Sequence, residues 1–278
     1  MKSAYGVRLT KAVAERGPLC VGIDPHPGLL DAWGLPRTAA GLEQCARGMV
    51  AALGQQVAVF KPQSAFFEPY GSAGIAVLER TLADIAGAGA LSLLDVKRGD
   101  MSTSMDAYAA AYLADGAPLA ADAITVNPYL GFGSLAGALE LALQHGRGVY
   151  VLALTSNPEG PQFQHARVAD GRMVGQVVVE EAARYNPAGE LGSVGVVVGA
   201  TIGRTGVDFS ALNGSILAPG IGAQGATAAD LAEVFGLATS MVLPSASREV
   251  MAAGPDPAAL RAAVARMRGE MEAVLGVG

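Results

Sequence analysis

The sequence holds almost none of the residues from which metal centres and disulfide frameworks are built. Two cysteines, Cys20 and Cys45, and three histidines, His26, His145 and His165, are spread over 278 residues. None stands at a metal-ligand or disulfide spacing, so neither a resident metal nor a covalent staple is expected. Cys20 lies in an apolar run and reads as an inert core residue; the histidines read as surface or loop positions. An excess of positive charge is also missing. The formal net charge of −6 argues against a nucleic-acid partner, which usually needs a basic face. No apolar run is long enough to span a bilayer. The first seventeen residues form an amphipathic, helix-like segment without a signal peptide's apolar core and cleavage site. A soluble, cytoplasmic protein with no membrane partner is therefore expected. Aromatic residues make up only 5% of the chain against 51% hydrophobic residues, so a core of Ala, Val and Leu is expected.

Lysine is scarce as well. Only Lys2, Lys11, Lys61 and Lys97 occur among nineteen basic residues. Lys2 and Lys11 lie near the terminus, whereas Lys61 and Lys97 each end an apolar, strand-like run. Arginine supplies a permanent charge, but only lysine can give up a proton in a tuned site. Retention of lysine at these two places points to proton chemistry or to a compact ammonium. Lys97 belongs to Asp95-Val96-Lys97-Arg98-Gly99-Asp100, directly after the run 90–94. Side chains two apart on a strand share a face, so Asp95 and Lys97 should project side by side, with Asp100 on the following loop. Two carboxylates and an ammonium packed together are costly to desolvate, which marks a candidate site.

Apolar runs at 19–23, 57–60, 90–94, 123–126, 149–154, 194–198, 215–217 and 241–243 read as eight strands. Helix-like segments separate them at 39–53, 74–86, 104–113, 134–144, 175–185, 205–212 and 226–235, with 3–15 leading and 257–274 closing the chain. Continuous apolar strands alternating with helices argue for a parallel sheet covered by helices. Eight units fit a closed (β/α)₈ TIM barrel, here one α/β domain over 1–278 with a leading N-terminal helix. Asp24, Lys61, Asp95, Lys97, Asn127, Thr155 and Ser156 each fall at a strand's carboxyl end, the face where barrel enzymes place their chemistry. The stretch 155–172 is the longest irregular one; a surface insertion is preferred over a lid.

The seventh strand runs into Leu217-Ala218-Pro219-Gly220-Ile221-Gly222-Ala223-Gln224-Gly225-Ala226, and the eighth into Pro244-Ser245-Ala246-Ser247-Arg248. A glycine-rich turn that opens a helix offers backbone amides to an anion. Arg248 can grip phosphate oxygens in pairs. Adjacent strand ends seven and eight with these features point to a phosphorylated ligand.

With these pieces in order, the chain resembles the orotidine 5′-monophosphate decarboxylase family, longer bacterial branch, over nearly its whole length. The resemblance rests on Val21-Gly22-Ile23-Asp24-Pro25, Phe60-Lys61-Pro62-Gln63, the signature Asp-x-Lys-x-x-Asp at 95–100, Thr125-Val126-Asn127-Pro128-Tyr129-Leu130-Gly131, and the two phosphate-end segments. It implies a carboxy-lyase that converts orotidine 5′-phosphate to uridine 5′-phosphate and carbon dioxide in pyrimidine biosynthesis. It further implies that Lys97 is the proton donor to C6 and that Asp95 lies against the departing carboxylate. Asp100 would reach into a neighbouring subunit's site in a homodimer, and Lys61 would complete the charged array. Asp24 would hold ribose hydroxyls, Ser156 the pyrimidine edge, and Gln224 and Arg248 the phosphate. Ser104 stands where the family usually has threonine; it keeps the hydroxyl for a ribose contact, or it caps the following helix. No cofactor is implied: neither flavin, pyridoxal phosphate, thiamine nor metal.

Other readings of the same residues stay open at this level. Asp24 can simply end a strand before Pro25. Ser156 can belong to a plain Ser-Asn-Pro turn. Asn127 reads as structural and Arg98 as a local ion pair. A related barrel could use Asp95 and Asp100 to hold a divalent metal on a sugar phosphate, or Lys97 to form a Schiff base. A protein that binds uridine monophosphate without turnover is the alternative outside the enzymes.

Overall fold

The eight apolar runs close on one another edge to edge. The computed structural model describes residues 2–222 and 228–275. Its strands are β1 (Cys20–Ile23), β2 (Val59–Pro62), β3 (Leu91–Arg98), β4 (Ala123–Val126), β5 (Gly148–Leu154), β6 (Gly192–Val198), β7 (Gly214–Pro219) and β8 (Val242–Ala246). They pair in sequence order, and β8 returns to β1 through Cys20↔Ser245 and Val21↔Ala246, all parallel. Parallel neighbours need a crossover between them, and helices supply it. The fold is a (β/α)₈ barrel.

The helices are α1 (Tyr5–Arg16), α2 (Pro27–Ala32), α3 (Ala39–Leu53), α4 (Gly71–Gly87), α5 (Ser102–Leu113), α6 (Ala136–Gln144), α7 (Pro161–Gln164), α8 (Val174–Ala183), α9 (Ala228–Phe235), α10 (Arg248–Met251) and α11 (Pro257–Leu275). In α3, Thr38 caps the first turn by accepting from the Gly41 amide. Leu42, Cys45, Ala46, Met49, Val50 and Leu53 then recur at three- and four-residue spacing and are all buried. The bulk of the core lies between the barrel wall and this helical ring. A second, smaller core fills the barrel itself with Ala58, Val59, Leu91, Leu93, Tyr150, Val197, Leu217 and Leu243. Tyr5 and Leu9 of α1 join that inner core, so the leading helix plugs the amino-terminal end of the barrel.

One expected helix is absent. Residues 205–212 form no helix. Gly203 and Gly206 adopt positive φ of 65° and 68°, a region that breaks a right-handed helix. The Thr205 hydroxyl accepts from the Val207 amide and the Asp208 carboxylate from the Ser210 amide. Such local side-chain bonds offer the backbone an alternative to helix. The stretch 155–172, expected to be irregular, carries the short helix α7 and a turn closed by an antiparallel bridge between Arg167 and Met173. Among the described residues no helix is long and apolar enough to cross a membrane.

Candidate active site

Strand β3 extends four residues beyond the run that marks it in sequence, so Asp95 and Lys97 lie inside the strand rather than after it. The β3–β4 ladder shifts register between Leu94 and Arg98. Within that bulge Lys97 takes φ 46°, a left-handed conformation that a lysine rarely adopts. Asp95 and Lys97 project side by side as their two-residue spacing predicts, at a strand end that is kinked. The Lys97 ammonium sits 2.7 Å from both Asp95 carboxylate oxygens. Gly99 makes the next step possible, since a Cβ there would lie 2.3 Å from the Asn127 carbonyl oxygen.

The Asp95 carboxylate is the hub. Oδ2 accepts from Gln63 Nε2 at 2.7 Å and faces Lys61 Nζ at 3.5 Å. Oδ1 accepts from the Thr125 hydroxyl at 2.7 Å. Lys61 and Asp95 side chains are only 7% and 8% exposed, whereas Lys97 is 45% exposed and reaches the mouth. Burial alone would favour a neutral carboxyl at Asp95, but Lys61 and Lys97 outweigh it and hold the group below the usual carboxylate range. Burial likewise works against the Lys61 ammonium, yet Asp24 and Asp95 push its pKa above the ordinary lysine value. Asp95 and Lys61 are thus held charged at neutral pH despite their burial. Asp24 follows β1, and its Oδ1 is buried without a hydrogen-bond donor among the described residues. An acceptor left so is open to a ligand hydroxyl.

A cleft beside this array is lined by Asp24, Lys61, Pro219, Gly220, Ser245 and Arg248, joining strand ends one, two, seven and eight. Arg248 is exposed at the start of α10. Gln224 lies outside the described residues. Ser156 follows β5, is exposed, and borders Gly199, where a Cβ would lie 3.1 Å from the Ser156 Cβ.

Two expected members are not in the array within one chain. Asp100 is half-buried and accepts from the Met101 amide at 2.8 Å, whereas the Lys97 ammonium pairs with Asp95. The packed trio of two carboxylates and one ammonium is therefore a pair, Asp95 and Lys97, with Lys61 behind it. Ser104 is exposed in the first turn of α5, and the residue at that helix's N-cap is Met101, so Ser104 does not cap it. Arg98 makes the local ion pair expected of it, 2.8 Å to Glu68. The Asn127 side chain accepts from the Tyr129 amide, the structural role expected of it. Gln63 and Thr125 were not singled out by sequence as site residues. The signal was present in Thr125: a hydroxyl in the otherwise apolar strand Ala123–Val126 must find a partner.

Asp95 has both oxygens filled by ammonium, amide and hydroxyl donors, which is not a metal-ligand environment. Among the described residues no three His, Cys, Asp or Glu side chains converge as a metal site.

Residues 17–263 match the family model described as Orotidine 5′-phosphate decarboxylase / HUMPS family. The chain is 60% identical over 273 residues to an orotidine 5′-phosphate decarboxylase of Salinispora arenicola, covering 98% of both. It is 53% identical over 268 residues to one of Streptomyces coelicolor, covering 96% of both. A crystal structure assigned to orotidine 5′-phosphate decarboxylase from Streptomyces avermitilis superposes with TM-score 0.96 at 54% identity, over 99% of this chain and 97% of that one. The Leishmania donovani OMP decarboxylase structure superposes with TM-score 0.76 at 30% identity, over 99% of this chain and 100% of that one.

Proposed function

The chain belongs to the orotidine 5′-phosphate decarboxylase / HUMPS family, and from that premise we infer that it decarboxylates orotidine 5′-phosphate to uridine 5′-phosphate in pyrimidine biosynthesis. The observation that carries the mechanism is the Lys97 ammonium held at 2.7 Å by an ionised, buried Asp95 at the barrel mouth.

Loss of carbon dioxide from C6 leaves an electron pair in the plane of the pyrimidine. The ring π system cannot take it up, so the pair needs electrostatic stabilisation and a proton. An ammonium beside C6 supplies both. In the proposed step the C6–carboxylate bond breaks, carbon dioxide leaves, and the C6 electron pair takes a proton from Lys97 Nζ; solvent then reprotonates the amine. Asp95 holds that ammonium in place and lies against the departing carboxylate. Lys61 completes the array from below. Asp24, with its open carboxylate oxygen, would accept from ribose hydroxyls. Arg248 would pair with the phosphate together with Gln224, and Ser156 and Ser104 would meet the base and the ribose. Side chains provide every group this step uses, so the reaction is proposed to be cofactor-free.

A homodimer completes the reading. Asp100 stays out of its own chain's array, and it is followed by an apolar surface. Met101, Tyr129, Leu130 and Phe163 are 60%, 71%, 49% and 54% exposed, with the Tyr129 and Phe163 rings 5.7 Å apart edge to face. A surface of this kind marks an interaction site, and a second copy seated there would bring its Asp100 to the neighbouring mouth. Location in the cytoplasm fits the substrate.

Absorbance loss on mixing purified protein with orotidine 5′-phosphate tests the activity, and it should proceed equally with a chelator present. A chelator-sensitive rate would instead favour the metal-dependent chemistry of a related barrel. Sharing of sites is tested by mixing Lys97→Ala with Asp100→Ala protein under conditions of subunit exchange. About one quarter of wild-type activity should return, because half the dimers are hybrids and each hybrid keeps one intact site. No return, with exchange demonstrated, would remove the shared-site reading.

A further inference from the structure

We propose that Thr125 is a positioning residue for the Lys97–Asp95 pair, its buried hydroxyl fixing the backbone of one and the carboxylate of the other. The inference rests on the decarboxylase reading and deepens it.

Thr125 is 1% exposed in the middle of β4. A hydroxyl has one proton to give and lone pairs to receive. Here the Lys97 amide donates to Oγ1 at 3.0 Å. Asp95, ionised, can only accept, so the hydroxyl proton goes to its Oδ1 at 2.7 Å. One side chain from the neighbouring strand therefore ties together the two halves of the site. It does so at the register shift, where Lys97 holds its left-handed backbone. A strained conformation persists only where its surroundings over-determine it. The Thr125–Lys97 bond is a restraint of that kind, and the Thr125–Asp95 bond sets where the ammonium finds its counter-charge. Gln63 steadies the other oxygen of Asp95 and leaves the Lys97 backbone untouched, so among the described residues Thr125 is the side chain that couples both.

The Lys97 side chain is nearly half exposed. Its aim at C6 depends on where the backbone starts and where Asp95 lies. Without the hydroxyl, Lys97 can relax toward ordinary strand geometry and carry its amine off line, and small displacements of a reacting group are expensive in rate.

Thr125→Val keeps shape and branching but removes the hydroxyl; Thr125→Ser keeps the hydroxyl and removes a methyl. Steady-state kinetics and thermal unfolding are measured on both, beside wild type. Thr125→Val should lower kcat about 100-fold with KM moved less than about threefold, the pattern of a lost transition-state alignment. Thr125→Ser should retain kcat within about fivefold, because the bonding group survives. In a Lys97→Ala background, adding Thr125→Val should change the residual rate less than about twofold, since the group it positions is gone. The proposal is overturned if Thr125→Val keeps kcat within about threefold of wild type, if Thr125→Ser loses as much kcat as Thr125→Val, or if the loss persists undiminished without Lys97. Loss of kcat that merely follows loss of the folded fraction also overturns it. Absence of turnover in wild type would instead contradict the decarboxylase reading, a separate failure.

Discussion

The two ends of the barrel are made from the same eight strands and carry opposite chemistry. At the amino-terminal end α1 lays Tyr5 and Leu9 over the inner core, and the buried Tyr5 and Tyr150 hydroxyls meet at 3.1 Å. Burial raises both phenols well above their ordinary pKa and pushes the Cys20 thiol up to about 12, so these three groups are neutral, and the charges beside them at this end, Arg8 and Asp122, pair with each other at 2.6 Å. At the carboxyl end Lys61 and Asp95 are buried to a similar degree but remain charged, because each has opposite charges beside it. Desolvation is the first influence at both ends; what differs is whether a counter-charge is at hand. A buried neutral pair stabilises a fold at little risk. A buried charged array costs desolvation free energy and is kept where chemistry needs it.

The contrast can be broken by substitutions at each end. Asp95→Asn strips the buried Lys61 of one counter-charge and the Lys97 ammonium of its anchor. It should reduce stability by about 3–5 kcal/mol and kcat by about 10²–10³-fold, read by denaturant unfolding and steady-state rate. Tyr5→Ala empties the plug at the other end. It should cost about 3–5 kcal/mol of stability while leaving kcat at wild-type level in the folded protein. A fall in kcat there would mean the two ends are coupled. Tyr150→Phe removes one hydroxyl of the neutral pair and should cost about 1 kcal/mol, again without a kinetic signature.

The smallest effect is one of pH. Cys20 has a raised folded pKa, so its share of stability is complete below the unfolded value of about 8.5 and is lost as pH rises toward about 12. Lys61, also raised, keeps its share up to the ordinary lysine value of about 10.4 and loses it above. Asp95, depressed, keeps its share above about 3.9 and loses it only as pH falls through its lower folded value. Cys20→Ala should therefore flatten the decline of unfolding free energy above about pH 8.5 and leave the acid limb unchanged, as followed by urea unfolding at several pH values.

Much of the barrel is legible in the sequence because its strands are continuous apolar runs and its helices carry one buried stripe. The bounds 39–53 read from periodicity are those of α3. The helix expected at 205–212 fails because hydrophobic spacing does not register left-handed glycines or hydroxyl-to-amide turns. At the site, Asp95, Lys97 and Lys61 are legible as charges out of place at strand ends. The adjacency of Asp95 and Lys97 is legible from their spacing; the bulge that shapes the strand end there is not. Thr125 and Gln63 stay hidden for a related reason: they act across strands 28 to 32 residues distant in sequence. Asp100 bonds the Met101 amide and Ser104 is exposed, so neither has a contact within one chain from which a site role could be read.

The claim on which the rest depends is that the Lys97 ammonium delivers the proton and stabilises the charge formed at C6. It is met most directly by measuring carbon dioxide release by Lys97→Ala beside its unfolding midpoint. Lys97→Ala leaves buried Asp95 with Lys61 as its remaining ammonium, so the midpoint should fall, while carbon dioxide release per folded protein falls by about 10⁴-fold or more. Release within about tenfold of wild type from a folded Lys97→Ala protein would contradict the claim.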